Sequence, residues 1–110
     1  NPDSAKAIAR HELLCSLDDV IREASRCLKS KGKMYMVHRP NRLVDIFDTM
    51  RKYHLEPKRM RLVYPYVNKA ANMVLIEAVK GGNSQLIVEE PLIVYKTDGT
   101  YTDALLKMYE

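Results

Sequence analysis

Apolar residues at Leu17, Val20, Ile21, Ala24 and Leu28 recur at intervals of three, one, three and four, which lines them along one side of a helix while Arg22, Glu23 and Arg26 face away. The spacing predicts a helix over 16–29. Ser16 opens it as the cap of a capping box, with Asp19 near the positive end of the helix dipole, and Gly32 stops it as a left-handed cap. A strand is predicted over 33–38, where Met34-Tyr35-Met36-Val37 is apolar at every position. Such a run is expected of a strand covered on both faces, usually by helices. A second stripe of Leu43, Ile46, Phe47 and Met50 predicts a helix over 42–54, capped by Asn41.

After Pro57 the pattern changes to two strands in succession, over 59–64 and 73–80, joined by a loop that contains Asn68, Lys69 and Ala70. That loop is too short for a parallel crossover and suits an antiparallel pair. Gly81-Gly82 breaks the chain, "QLIVEEPLIVY" supplies one or two short extended pieces around Pro91, and Thr102 caps a final short helix to Tyr109. The order helix, strand, helix, strand pair, short helix defines an α/β chain.

Composition narrows the class. The chain has 110 residues, 46% of them apolar and 29% charged, which suits one small globular domain rather than a disordered or fibrous protein. No apolar run approaches the length of a membrane span and no signal-peptide pattern opens the chain, so the expectation is a cytoplasmic protein without a membrane partner. Cys15 and Cys27 lack the spacing of a zinc site and the density of a disulfide scaffold, and both are expected to be reduced thiols. Charge is divided: up to Gly82 there are 16 Lys/Arg against 9 Asp/Glu, and from Asn83 onward 2 against 5. A basic body with an acidic tail suits a polyanionic partner.

Candidate chemistry follows from placement. Ligands of open α/β sheets bind beyond the carboxyl ends of the parallel strands, and His38, Arg39 and Pro40 stand at such an end, with Arg42 directly after them. Arg39 can clamp a phosphate or carboxylate and His38 can hydrogen-bond a base or ribose. The alternative is an interior histidine, a solvated arginine and a proline that separates strand from helix. Arg10, His11 and Glu12 join a histidine to a carboxylate, as either a proton-transfer pair or a surface salt-bridge group. Arg51, Lys52, Lys58, Arg59 and Arg61, with Tyr53, Tyr64 and Tyr66 among them, form a basic and aromatic cluster that fits an RNA backbone or, equally, a solvated helix end and a charged edge strand. The histidines His11, His38 and His54 have no metal-ligand spacing, and no metal is expected. There is no glycine-rich nucleotide loop and no Asn-Pro-Pro-Tyr motif; Asn1-Pro2-Asp3-Ser4 only begins like the latter.

Taken in order, "AIARHE", "SLDDVIREASRCLKSKGKMYMVHRPNRLVDI", "LEPKRMRLVYP", "NMVLIEAVKGG" and "PLIVY" resemble segments of the bacterial tRNA (adenine-N6)-methyltransferases, over essentially the whole chain. The resemblance covers only the second half of such an enzyme. It implies a Rossmann-like methyltransferase sheet of which residues 1–110 are the C-terminal portion, with the S-adenosylmethionine loop and the Asn-Pro-Pro-Tyr motif on the half that precedes it. The implied activity of the parent is methylation of the N6 amine of an adenine in tRNA, next to the anticodon of a valine tRNA, while this chain alone is expected to be inactive. Arg10, His11, Glu12, His38, Arg39, Pro40 and Arg42 become candidate substrate-positioning residues, and Lys58, Arg59, Arg61 and Lys69 candidate contacts to the RNA backbone. The strand over 33–38 is then expected to lack a neighbour, and to be paired with an N-terminal fragment or with another copy of the chain. An RNA-binding module without catalysis, or the complementing subunit of a split enzyme, are the other expectations.

Overall fold

The computed structural model describes residues 16–109. Helix α1 (Leu17–Cys27) opens with the expected capping box: Ser16 Oγ accepts from the Asp19 amide at 3.1 Å, and an Asp19 carboxylate oxygen accepts from the Ser16 amide at 3.1 Å. Ile21 is buried, Leu17 and Leu28 pack against the core, and Val20, expected in the stripe, is 44% exposed. The left-handed residue after the helix is Lys31 (φ 70°), not Gly32. Glycine is still required at position 32 for a different reason, because a Cβ there would come within 2.9 Å of the Lys29 carbonyl oxygen, whose bond from the Gly32 amide closes the turn.

Strand β1 (Lys33–His38) has the predicted bounds. A 3-10 turn (Pro40–Arg42) follows, and Asn41 lies inside it rather than capping a helix. Helix α2 (Leu43–Lys52) therefore starts one residue late, without a side-chain cap, and ends where His54 turns to φ 63°. Strand β2 (Leu55–Tyr64) starts earlier than expected, since a bulge between Pro57 and Arg59 lets the strand accommodate a residue that cannot donate to the ladder. Strand β3 (Met73–Lys80) has the predicted bounds, the two short extended pieces are β4 (Ile87–Val88) and β5 (Leu92–Ile93), and helix α3 (Asp103–Lys107), capped by Thr102, is shorter than expected.

The sheet runs β1-β3-β2-β4, with β5 also on β2. β3 lies between β1 and β2 and is antiparallel to both, so β1 and β2 run parallel, and β4 and β5 add to β2 in the same direction. Both longer helices cover one face: Ile21, Ile46, Met50, Leu55, Met60, Val74, Ile76 and Ala78 form the core, with Met34 and Met36 packed against it. The opposite face departs from expectation. Tyr35 is 71% and Val37 61% exposed, so among the described residues β1 is covered on one face only and paired only with β3. No helix among the described residues is long and apolar enough to cross a membrane. Cys27 is a free, exposed thiol, and Cys15 lies outside the described residues.

Candidate functional site

Because β1, β2 and β5 run parallel, their carboxyl ends open onto one rim of the sheet. Three chain exits open there: Arg39-Pro40 after His38 ends β1, Pro65-Tyr66 after β2, and Val94-Tyr95 after β5. This is where an open α/β sheet binds its ligands.

His38, the last residue of β1, is half-buried on the core side in register with Val74, and its Nδ1 accepts the Arg39 amide at 2.8 Å. That bond makes Nδ1 the unprotonated ring nitrogen of the neutral form and leaves Nε2 as the donor. The Arg39 side chain is exposed and makes no ion pair among the described residues, while its carbonyl accepts from the Arg42 amide at 3.1 Å. Pro40 begins the turn with the φ it already prefers. Arg42 is engaged at the start of α2, with Nε 3.2 Å from an Asp45 carboxylate oxygen. His38 and Arg39 therefore hold polar groups available at the rim. Arg10, His11 and Glu12 lie outside the described residues.

The basic residues of β2 have internal work. Lys58 Nζ donates to the Asn83 carbonyl at 2.7 Å and Arg61 Nε to the Glu90 carbonyl at 3.1 Å. Arg59 Nε lies 3.0 Å from Glu89 and 3.8 Å from Glu77, which also pairs with Lys33 at 3.1 Å. Part of the acidic tail thus folds back on the basic body and lowers the field a polyanion would feel. Arg51 and Lys52 are likewise paired, with Glu56 and Asp18 at 2.8 Å each. Lys69 differs: it stands in the turn after β2, exposed, its amide bonded to the Tyr66 carbonyl at 3.1 Å. Of the four residues expected on an RNA backbone, Lys69 is at the rim and the other three tie outer segments to β2.

Tyr66, already a member of the predicted basic and aromatic cluster, belongs to an aromatic row at the same rim whose other members, Tyr95 and Tyr101, were not foreseen. Tyr66 and Tyr95 stack with ring centroids 5.4 Å apart, and Tyr95 and Tyr101 at 5.5 Å. Tyr64-Pro65-Tyr66 and "PLIVY" each place a tyrosine at or just past a strand end, which was the available signal; the parallel pairing of β5 with β2 that brings them together was not legible. A cavity of about 450 Å³ adjoins the row, and another of about 370 Å³ lies near the far end of the sheet between Phe47, Arg51, Glu56 and Leu86. No described group of three or more His, Cys, Asp or Glu side chains is arranged to hold a metal. The described exits from β1, β2 and β5 begin Arg-Pro, Pro-Tyr and Val-Tyr, none of them the glycine-rich turn that cradles an S-adenosylmethionine-type cofactor.

The architecture is an α/β sheet of methyltransferase-like fold. A solved structure, the crystal structure of a predicted O-methyltransferase, protein Atu636 from Agrobacterium tumefaciens, is similar to this chain with a TM-score of 0.76 and 25% identity, over 84% of this chain and 44% of that one. The chain thus spans less than half the length of that structure. No protein-family model matches the chain, and no curated protein does.

Proposed function

We propose that residues 1–110 are the C-terminal portion of an S-adenosylmethionine-dependent methyltransferase domain that methylates the N6 amine of an adenine in tRNA. The observation that carries the reading is the sheet itself: β3 inserted antiparallel between parallel β1 and β2, with both longer helices on one face, in an arrangement that aligns with a predicted O-methyltransferase at a TM-score of 0.76. The choice of a base nitrogen over an oxygen acceptor rests on the segments from "AIARHE" to "PLIVY" and their resemblance to the adenine-N6 enzymes of tRNA.

In this reading the cofactor supplies an electrophilic methyl group and is held by the preceding half of the domain. The described residues position the substrate. Arg39, exposed and unpaired among the described residues, meets a phosphate at the rim; His38 offers Nε2–H to a base or ribose, oriented by the bond at Nδ1. Methyl transfer to an amine depends chiefly on alignment, so such contacts act through geometry.

The test is incorporation of labelled methyl from S-adenosylmethionine into tRNA by the polypeptide that contains this chain, with nucleoside mass spectrometry of the product. N6-methyladenosine is the expected product, and Arg39→Ala is expected to weaken tRNA binding without changing the melting temperature. Transfer only to a small-molecule hydroxyl, or no transfer to tRNA, overturns the reading. The β1 edge, unpaired among the described residues, favours a second version in which the chain completes a split enzyme as a separate subunit. That version requires a copurifying polypeptide that carries the glycine-rich loop.

A further inference from the structure

The tyrosine row is more than a loop closure needs. Backbone bonds already hold the segment: the Tyr95 amide reaches the Pro65 carbonyl at 2.9 Å, the Lys96 amide the Thr100 carbonyl at 2.7 Å, and the Thr102 amide the Val94 carbonyl at 3.0 Å. Thr102 Oγ1 donates to the Ile93 carbonyl, and Asp98 accepts from both the amide and the hydroxyl of Thr100. The rings nevertheless stand nearly parallel, with 29° between Tyr66 and Tyr95 and 22° between Tyr95 and Tyr101. Tyr95 is flanked on both sides, and Tyr101 ends the row 52% exposed.

Beside that end ring lies the cavity of about 450 Å³, lined by Val94, Tyr95, Tyr101, Leu105, Leu106 and Tyr109. Its size and apolar, aromatic walls suit a planar ring. Three lysines are near these residues in the chain, Lys69 in the turn after Tyr66, Lys96 next to Tyr95 and Lys107 at the end of α3, and they are interleaved with acids: Lys96 acts on the Asp98 carboxylate, and Asp103 opens α3. Stacked aromatic faces with cations near them in sequence suit an unstructured nucleic-acid strand, since every base has a π-face and every linkage a phosphate.

We propose that Tyr66, Tyr95 and Tyr101, with the cavity beside Tyr109, form a stacking platform that takes an unpaired nucleobase of an RNA strand onto the free face of Tyr101. The inference rests on the RNA reading of the rim and is independent of methyl transfer. It assigns the tyrosines to holding a base flanking the target, not to the chemistry.

The experiment titrates the 110-residue chain with a short unstructured oligoribonucleotide and with the same strand made abasic, read by tyrosine fluorescence and by anisotropy of an end label. Expected are quenching by the intact strand, little quenching by the abasic one, a weakening on the order of ten-fold for Tyr101→Leu, and near-normal binding for Tyr101→Phe, which keeps the ring. Thermal melts confirm that each variant folds. Equal binding of the abasic strand, or unchanged affinity in Tyr101→Leu, overturns the proposal and reduces the contact to phosphates. Absence of any oligoribonucleotide binding, with an apolar dye taken up at Tyr101 instead, overturns it in favour of an apolar protein partner. Base stacking without tRNA methylation by the longer polypeptide leaves this proposal standing and refutes the methyltransferase reading alone.

Discussion

Ser16 and Asp18 show how much of α1 is decided by single side chains. Ser16 satisfies one orphan amide and has its own amide satisfied by Asp19, so Ser16→Ala is expected to cost about 1 kcal/mol, read as a lower denaturant midpoint. Asp18 acts across elements: its carboxylate accepts from Lys52 Nζ at 2.8 Å, from the Tyr53 hydroxyl at 2.6 Å and from Arg22 at 3.4 Å. The Lys52 hydrogen bond first, and then that of Tyr53, hold this carboxyl below the usual range. A depressed carboxyl stabilises the fold fully above its unfolded value of about 3.9, and that contribution is lost as pH falls through the lower, folded value. Denaturant midpoints measured from pH 6 down to pH 2 should therefore fall below about pH 4, and less steeply in Asp18→Asn. Asp19 and Asp98, also held low by their hydrogen bonds, keep part of the decline in the variant. Identical pH profiles for the two proteins would remove Asp18 as a link between α1 and α2.

At the scale of elements, the stripe Leu17, Val20, Ile21, Ala24 and Leu28 made α1 legible, although Val20 proves exposed, because a helix on a sheet buries one side and the period of 3.6 records which. What fixes α1 along the sheet was not legible. The Lys80 ammonium, at the end of β3, donates to the Ser25 carbonyl and, at 2.9 Å, to the Leu28 carbonyl, while Ser25 Oγ donates to the Tyr53 carbonyl at 2.6 Å. These are bonds from side chains to backbone across tens of residues, and no local period encodes them. Lys80 thus closes the carboxyl end of α1, where orphan carbonyls and the helix dipole both favour a cation. Lys80→Met should lower stability by about 1–3 kcal/mol, since the Leu28 carbonyl loses its donor and the Ser25 carbonyl keeps only the Leu28 amide at 3.2 Å. Ile46→Ala, which opens a void in the fully buried core, should cost about 2–5 kcal/mol. A Lys80→Met chain as stable as the parent would show that water serves those carbonyls equally well.

For the whole molecule, the bounds of β1 and β3 followed from apolar runs and breaking glycines, but the order of the sheet did not, because pairing between strands distant in sequence is set by tertiary packing. The same limit governs the site. His38 and Arg39 were found because the end of a strand is a local signal, whereas the tyrosine row required knowing that β5 joins β2. The run Met34-Tyr35-Met36-Val37 has the pattern of a strand covered on both faces, whereas the described residues cover only Met34 and Met36. Tyr35 and Val37 remain exposed next to Leu75 on the opposite face, along a strand whose outer edge no described residue pairs. Apolar surface beside unpaired amides and carbonyls is a template for another strand. The 110-residue chain alone should therefore gain mass with concentration in sedimentation. Val37→Lys should suppress that gain by placing a charge at the edge, without loss of fold, since Val37 is 61% exposed. Addition of a polypeptide that carries the preceding half of the domain should suppress it too, by occupying the same edge. A folded chain that stays monomeric at every concentration would mean that this edge is already closed, and would remove the structural need for either partner.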